Sequence, residues 1–365
     1  MNLPIVFIAI TLTCIGLVMV FSTSYNSALL SSKEKSYYSE VIMQAAVGLA
    51  GVLFMFVVAK VDYHIFLNKT NLKMGYIAVV ILLIAGFFFE PVRDSHRWIR
   101  LPFCTIQSSE FAKYMSIIYV SYYTSTRKWW YRNPIDWVKL LAPIGGFAVL
   151  ILFETDLSTT LCILGAVVVI MFVSGMQKRF LVGALAVLAI LVFLIAVTGY
   201  QGERFDSWLK AWEDPKDSGY QVVQSLYAIG DGGLFGVGLG NSKQKITHLP
   251  MSDTDYIFSI ICEEFGFVGA TLVVGLYLAF AFFGIKIALE ATDAFGAYLA
   301  SGITSIIILQ AFINMGVATN VIPSTGITLP FVSNGATSLG ITLAATGLLL
   351  SVSAHKRRKP KEAKK

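Results

Sequence analysis

Two aspartates, Asp253 and Asp255, stand near the end of a polar, glycine-rich stretch at positions 219–269, and apolar sequence lies on both sides of it. A carboxylate beside a reacting hydroxyl can act as a general base, and nearby cations can stabilise an anionic leaving group. Acids in apolar surroundings are costly and often mark a site. Lys243 and Lys245 lie upstream of the aspartates, Glu263 and Glu264 lie downstream, and we expect Arg97 nearby in the fold. This combination favours an anionic, lipid-linked substrate.

The same aspartates also have a structural interpretation. Asp253, Thr254 or Asp255 can cap a helix that begins at Tyr256, because Asp and Thr side chains accept hydrogen bonds from the first amides of a helix. In that case the carboxylates would satisfy backbone groups and take no part in chemistry. The sequence by itself leaves both interpretations open.

A second polar cluster contains Arg97, Glu110 and Lys113. Glu110 and Lys113 are three residues apart and therefore share one face of a helix. We expect Ser108 or Ser109 to cap that helix, and Glu110 suits its positive end. The pair either closes the helix end as a structural ion pair or lines a polar cavity, since charges at membrane depth usually face a protein interior or a water-filled path.

Two further segments belong to the candidate site. Asp156 lies in a very short connection between apolar stretches, where Asp156 or Ser158 can cap the next helix. Asp156 can instead face the same cavity, or do both. The segment at 320–335 has no charged residue, two prolines and two glycines. Non-helical backbone within a bilayer must be buried in protein or line a cavity. We expect a re-entrant loop that floors the site, and the alternative is an ordinary outer loop.

The elements that position these residues are membrane helices. Hydrophobic residues make up 56% of the chain and charged residues only 14%, whereas soluble domains carry about 25% charged residues. The apolar stretches predict an all-α polytopic membrane protein with about ten transmembrane helices and a large extracytoplasmic loop, at about 200–255, between helices 7 and 8. The predicted spans lie near 4–22, 41–59, 74–89, 108–123, 138–153, 158–175, 180–199, 267–289, 295–318 and 336–354.

The distribution of basic residues sets the predicted orientation. Lys and Arg concentrate in alternate connections, which places both termini in the cytoplasm and the long loop outside. Seven of the 28 Lys and Arg residues lie at 356–365, a basic cytoplasmic tail suited to anionic membrane lipids. Residues 1–355 then form a single membrane domain. The basic residues are not gathered in a soluble unit, so nucleic acid is not an expected partner.

The four cysteines and four histidines are scattered along the chain. Their positions give neither a disulfide framework nor the ligand spacing of a zinc site. The sequence therefore points away from a structural metal centre built from Cys and His. The chemistry must be sought in the acids, cations and polar side chains.

Several motifs follow one another through nearly the whole chain. They are RWI at 97–99, QxSEFxK at 107–113, ExDLxT at 154–159, GYQxxQS at 219–225, GLGNSxQK at 238–245, LPxxxTDYIF at 249–258, NxGV at 314–317 and TGITLPFxS at 325–333. Together they resemble the SEDS family (shape, elongation, division and sporulation), which includes FtsW, RodA and SpoVE. The GLGNSxQK form is closer to the FtsW and SpoVE branch.

The resemblance implies a peptidoglycan glycosyltransferase that polymerises lipid II at the outer face of the bacterial cytoplasmic (inner) membrane, for division, elongation or sporulation. Lipid II is a disaccharide-pentapeptide linked to undecaprenyl pyrophosphate, and an inverting displacement needs a base on the acceptor hydroxyl. Asp255 matches the essential loop aspartate of the family. The predicted substrate-binding residues are Arg97, Trp98, Glu110, Lys113, Asp156, Gln224, Ser225, Lys243, Lys245, Glu263, Glu264, Asn314 and Ser333.

The resemblance also implies a partner, a class B penicillin-binding protein that acts as the transpeptidase. The leaving group needs positive charge, which can come from Arg97, Lys113, Lys243 and Lys245 or from a divalent cation, Mg²⁺ or Mn²⁺, held by acids. No organic cofactor is expected. Two alternative functions stay open. A lipid II flippase or other transporter would place ionisable residues near the membrane midplane, and a non-catalytic division scaffold would not need Asp255.

Overall fold

The computed structural model describes residues 2–31, 34–89, 97–100, 105–127, 129–180, 182–183, 186, 202–217, 219–247, 249 and 251–355. Twelve helices and one short hairpin lie within these ranges. They are α1 (Leu3–Ser31), α2 (Glu34–Lys60), α3 (Lys69–Gly86), β1 (Trp98–Arg100), β2 (Thr105–Gln107), α4 (Ser108–Thr126), α5 (Pro134–Phe153), α6 (Leu157–Val173), α7 (Gly202–Leu209), α8 (Tyr220–Asp231), α9 (Gln244–Thr247), α10 (Ile257–Glu290), α11 (Ala294–Ala318) and α12 (Ala336–Ala354). Two 3₁₀ turns, Tyr63–Leu67 and Trp130–Arg132, connect helices.

The prediction of a mostly helical, multi-pass membrane protein is confirmed. Seven helices in the described part of the chain are long and apolar enough to cross a bilayer. They are Leu3–Ser24 and Val41–Lys60 within α1 and α2, together with α3, α5, α10, α11 and α12. The predicted spans near 108–123 and 158–175 form α4 and the shorter α6. Most of the span near 180–199 and all of the tail at 356–365 lie outside the described residues, so the total of ten stays a prediction.

Helices α11 and α12 form the centre of the bundle. Helix α11 packs against α10, α6 and α4, and α12 packs along α2. Most residues of these two helices are buried, whereas α2, α3 and α5 are mostly exposed and apolar on their outer faces. An all-round apolar helix is stable only in a core or in lipid, so the exposed helices have the surface of lipid-facing spans. The central pair supports the polar segments described below.

The segment between α11 and α12 is non-helical and packs inside the bundle. Leu329, Phe331 and Val332 are almost fully buried. The hydroxyl of Tyr277, in α10, donates to the Pro330 carbonyl. Residues 331–332 also lie against Gly16 of α1, where an added Cβ would be only 2.6 Å from the backbone. Such burial is what a re-entrant loop requires, and the depth of the segment relative to a bilayer stays a prediction.

Helix α10 is longer than the predicted span at 267–289, because its regular part is preceded by a short helical segment. Gly266 interrupts the helix, with φ +65° and ψ −164°. The turn at 232–238 packs against the helix at this break and bonds to its backbone. The amide of Val237 donates to the Glu263 carbonyl (2.9 Å), and the Phe267 amide donates to the Gly233 carbonyl (2.9 Å). These bonds satisfy backbone groups that the break would otherwise leave unpaired.

Substituting Gly266 tests this junction. A Cβ at Gly266 would lie 2.3 Å from the Gly236 nitrogen, and the positive φ adds strain. We expect Gly266→Ala to lower the free energy of unfolding by about 2–4 kcal/mol and to speed amide hydrogen exchange at 233–238. Gly275→Ala is the control, because its Cβ has no described atom within 4 Å. Equal stability of the two variants would contradict the proposed role of the break.

Candidate active site

The backbone around Asp255 is fixed from two sides. Asn314, in α11, donates its side-chain amide to the Asp255 carbonyl (2.9 Å) and to the Ile327 carbonyl (2.7 Å). The Ser333 hydroxyl donates to the Thr254 carbonyl (2.6 Å). One α11 side chain and one side chain of the buried segment therefore hold the loop end beside 325–335.

Asp253 and Asp255 do not occupy the predicted helix cap. Helix α10 begins at Ile257 with Tyr256 in the N-cap position, and the Tyr256 side chain makes no cap hydrogen bond. Asp253 instead accepts the Asn334 side-chain amide at 3.0 Å. The capping interpretation is therefore wrong in its position, and the half-buried Asp255 carboxylate stays a candidate for chemistry.

Arg97 and Asp255 meet at Gly326. The Oδ2 atom of Asp255 lies 3.7 Å, and Nη2 of Arg97 lies 3.8 Å, from the point that a Cβ on Gly326 would occupy. Gly326 has φ +67°, a conformation that glycine adopts without steric cost. A carboxylate and a guanidinium thus face one small space next to the buried segment. The sequence prediction that Arg97 lies near the aspartates is consistent with this geometry.

Asp156 connects Arg97 to the rest of the site. Its Oδ2 lies 3.4 Å from Arg97 Nη1 and accepts hydrogen bonds from Gln107, Ser109 and Thr159 side chains. Its Oδ1 accepts from the Thr159 amide, so Asp156, one of the two predicted caps, is the N-cap of α6. Burial favours the neutral acid, but the Arg97 charge and the Thr159 and Ser109 hydrogen bonds outweigh it and lower the pKa of Asp156. Asp156 is therefore a carboxylate that orients the guanidinium.

The predicted cap of α4 is wrong. Gln107 takes the N-cap position, where no described side chain caps the helix, and Ser108 and Ser109 are its first two residues. The Ser108 hydroxyl donates to Glu154 at 2.8 Å, and the Ser109 hydroxyl donates to Asp156 at 3.0 Å. These hydroxyls donate to the acids of the α5–α6 connection, because buried acids need hydrogen-bond partners.

Glu110 and Lys113 form the predicted ion pair, at 2.8 Å, and both are almost fully buried. The Lys113 ammonium also donates to Gln310 Oε1 (2.6 Å), and the Gln310 amide donates to the Thr328 carbonyl (3.0 Å). These side chains and Gly326 line a cavity of about 10 Å³, room for about one water molecule. The pair is therefore a buried ion pair that also lines a small polar cavity, and whether it contributes to substrate binding stays a prediction.

Lys245, Glu263 and Glu264 form a separate buried cluster. Lys245 pairs with Glu264, and Ser22 of α1 donates to Glu264 at 2.8 Å. Glu263 accepts the Lys243 amide at 2.7 Å, and it also accepts the hydroxyl of Ser242. The cluster fastens the long loop to α1 and α10, whereas the Lys243 side chain is exposed. Substrate binding by these residues stays a prediction.

The other predicted site residues differ in their accessibility. Ser225 is fully buried and donates to the Ala318 carbonyl (2.7 Å), which joins α8 to the end of α11. Gln224 and Trp98 are half-buried, and the Arg97 guanidinium lies 5.7 Å from the Trp98 ring centre.

The sequence did not predict Gln310 and Gly326 as residues of the site. A glutamine within an apolar span is a usable signal for the first, whereas the second depends on the folded geometry.

These features define a multi-pass, mostly helical membrane protein whose polar site forms where two non-helical segments meet helix ends. The chain belongs to the FtsW/RodA/SpoVE family, because the model of that family, described as a cell cycle protein, matches residues 2–358. Stage V sporulation protein E of Bacillus subtilis is 38% identical over 364 residues, covering 98% of both chains. A probable peptidoglycan glycosyltransferase FtsW of Geobacter sp. (strain M18) is 34% identical, covering 98% of this chain and 97% of the relative.

Solved structures support the same fold. A structure reported as the structural coordination of polymerization and crosslinking by a peptidoglycan synthase complex matches with a TM-score of 0.78 and 27% identity, covering 97% of both chains. The rod shape determining protein RodA of Thermus thermophilus matches with a TM-score of 0.68 and 25% identity, covering 98% of both chains. The predicted family resemblance is confirmed.

The buried Glu154 carboxyl should make the free energy of unfolding depend on pH. Burial raises its pKa to about 8, helped by the Asp156 charge and opposed by the Ser108 hydrogen bond. The unfolded chain loses this proton near pH 4.5, so Glu154 costs stability as the pH rises from there to about 8. We expect Glu154→Gln to stabilise the protein by roughly 1–3 kcal/mol at pH 8.5 and to have little effect near pH 4.5. Thermal unfolding at both values, with the exposed Glu213→Gln as control, checks this; a pH-independent difference for Glu154→Gln would contradict it.

Substituting Lys245 tests whether the buried cluster has a structural role or binds substrate. Replacing one partner of a fully buried pair leaves an uncompensated charge, so Lys245→Met should cost about 3–5 kcal/mol of unfolding free energy. The Lys245→Met/Glu264→Gln double variant should recover part of this loss. Lys243→Met, at an exposed site, is the control. A stable Lys245→Met variant with reduced lipid II binding would instead support substrate contact.

Proposed function

We propose that the protein is a peptidoglycan glycosyltransferase that polymerises lipid II at the outer face of the bacterial cytoplasmic membrane, for division, elongation or sporulation. The observation that carries the proposal is the approach of the Asp255 carboxylate and the Arg97 guanidinium to one point beside Gly326. The names of its relatives and the peptidoglycan synthase complex that it resembles support the reaction class. The orientation, with both termini cytoplasmic, rests on the distribution of Lys and Arg.

The proposed reaction is a single inverting displacement. Asp255 removes the proton of the acceptor 4-hydroxyl as the hydroxyl oxygen bonds to the anomeric carbon of the donor. The bond from that carbon to the pyrophosphate oxygen breaks, and its electron pair leaves with undecaprenyl pyrophosphate. The anchored backbone at Thr254 and Asp255 suits this role, because a general base is effective only when it is held close to its proton.

The charge on the leaving group needs a cation. Arg97, Lys113, Lys243 and Lys245 were the candidates from the sequence, and only the Lys243 side chain among them is exposed. No group of three or more His, Cys, Asp or Glu residues in the described part of the chain has the geometry of a metal site. A divalent cation, Mg²⁺ or Mn²⁺, would then bind through one or two carboxylates together with substrate phosphates, and no catalytic step is assigned to it.

The proposed partners are lipid II, surrounding membrane lipids and a class B penicillin-binding protein that crosslinks the new glycan. The similarity to a chain from a peptidoglycan synthase complex supports such an assembly. A lipid II flippase is the alternative from another class. The deep Lys113 is its best support, but Lys113 is paired with Glu110 and Gln310, which is less suited to a moving ligand. A scaffold without catalysis would leave Asp255 without a function.

Purified full-length protein, with and without a candidate class B partner, tests the proposal on labelled lipid II with a divalent cation present. The wild type should form glycan chains, and Asp255→Ala and Asp255→Asn should reduce the rate at least about 100-fold, the usual range for a lost general base. Glycan chains from both the wild type and the Asp255 variants would support the polymerase function but exclude Asp255 as its general base. Movement of lipid II in liposomes without any polymerisation would favour the flippase.

A further inference from the structure

Gly326 is held in place on both sides. The Ser158 hydroxyl donates to the Thr325 carbonyl (2.6 Å), and the Asn314 amide donates to the Ile327 carbonyl (2.7 Å). The residues before and after Gly326 are therefore tied to α6 and α11. The space above its Cα, between Asp255 and Arg97, is consequently a fixed feature of the backbone.

The two groups that face this space select what can fill it. A phosphate oxygen would suit Arg97 but would be repelled by Asp255, and an ammonium group would suit only Asp255. A hydroxyl fits both, because it donates its hydrogen to a carboxylate and accepts a hydrogen bond from a guanidinium. The lining of the space is thus complementary to a sugar hydroxyl rather than to the pyrophosphate.

We propose that the missing side chain of Gly326 creates the acceptor subsite, in which the reacting hydroxyl binds between Asp255 and Arg97. This inference rests on the proposed function and changes the role of Arg97 from the leaving group to the acceptor. Asp255 takes the hydroxyl proton, and Arg97 stabilises the charge that develops on the same oxygen until it bonds to the anomeric carbon. Asp156 is a positioning residue, since it holds Nη1 of Arg97 while Nη2 faces the slot.

Alanine is a suitable probe of this slot. Its Cβ would meet Asp255 and Arg97 at 3.7 Å and 3.8 Å, which are ordinary van der Waals distances. The methyl group therefore fits the fold but occupies the place of the hydroxyl. Its remaining cost is the positive φ, and Gly175 provides a matched control, with φ +81° and no described atom within 4 Å of an added Cβ.

The experiment compares Gly326→Ala, Gly175→Ala and wild type as full-length proteins in the lipid II polymerisation assay. We expect Gly326→Ala to slow glycan formation at least about 100-fold, since displacing a reacting group by 1 Å can have that effect. Its melting temperature should fall no further than that of Gly175→Ala. Its affinity for undecaprenyl pyrophosphate should stay within about twofold of wild type, because the leaving group does not use the slot.

Each other outcome overturns a defined part of the inference. Polymerisation by Gly326→Ala within about threefold of Gly175→Ala would exclude the slot, and a much lower melting temperature for Gly326→Ala would show that the space is not open. The Arg97→Gln variant adds a second test. A tenfold or greater loss of its affinity for undecaprenyl pyrophosphate would show that Arg97 binds the leaving group and not the acceptor. Absence of glycan from the wild type, with the class B partner present, would refute the proposed function itself.

Discussion

The site depends on one buried amide. Asn314 donates from a single nitrogen to the carbonyls of Asp255 and Ile327, and so joins the end of the long loop to the segment between α11 and α12. The Asn314 side chain is fully buried, and a buried polar group left unpaired costs about 1–3 kcal/mol. The two segments can therefore adopt this arrangement only together. The separation between Asp255 and Gly326 is set by that shared donor.

Buried ion pairs give the site its remaining geometry. Arg97–Asp156, Lys113–Glu110 and Lys245–Glu264 all lie within the protein. The desolvation of two charges offsets much of their attraction, so such pairs add little net stability, although breaking one is costly. Their effect here is to fix connections: Arg97 to the start of α6, Lys113 towards Thr328 through Gln310, and the long loop to α1. Each pair therefore stabilises one relative placement of the elements that it joins over the alternative placements.

The sequence was sufficient for the features that local rules govern. Apolar length predicted spans, residue spacing predicted the Glu110–Lys113 pair, and the short connection predicted a cap at Asp156 or Ser158, because each depends on neighbours along the chain. The features that the sequence did not predict depend on long-range contacts. The Ser108 and Ser109 hydroxyls bond acids more than forty residues away, and Gly266 is needed because a distant turn inserts into α10. No window of sequence contains both partners of such contacts.

The choice of arginine at position 97 follows from the same geometry. One nitrogen of its guanidinium, Nη1, faces Asp156, while the other, Nη2, faces Gly326 and the space shared with Asp255. A planar guanidinium can bind a carboxylate on one edge and still present a donor in a fixed direction, whereas a lysine ammonium is a single point charge on a flexible stem. Asp156 thereby aims the cation without removing it from the site. By orienting Arg97, the structural acid at the start of α6 also influences the chemistry that we propose for Asp255.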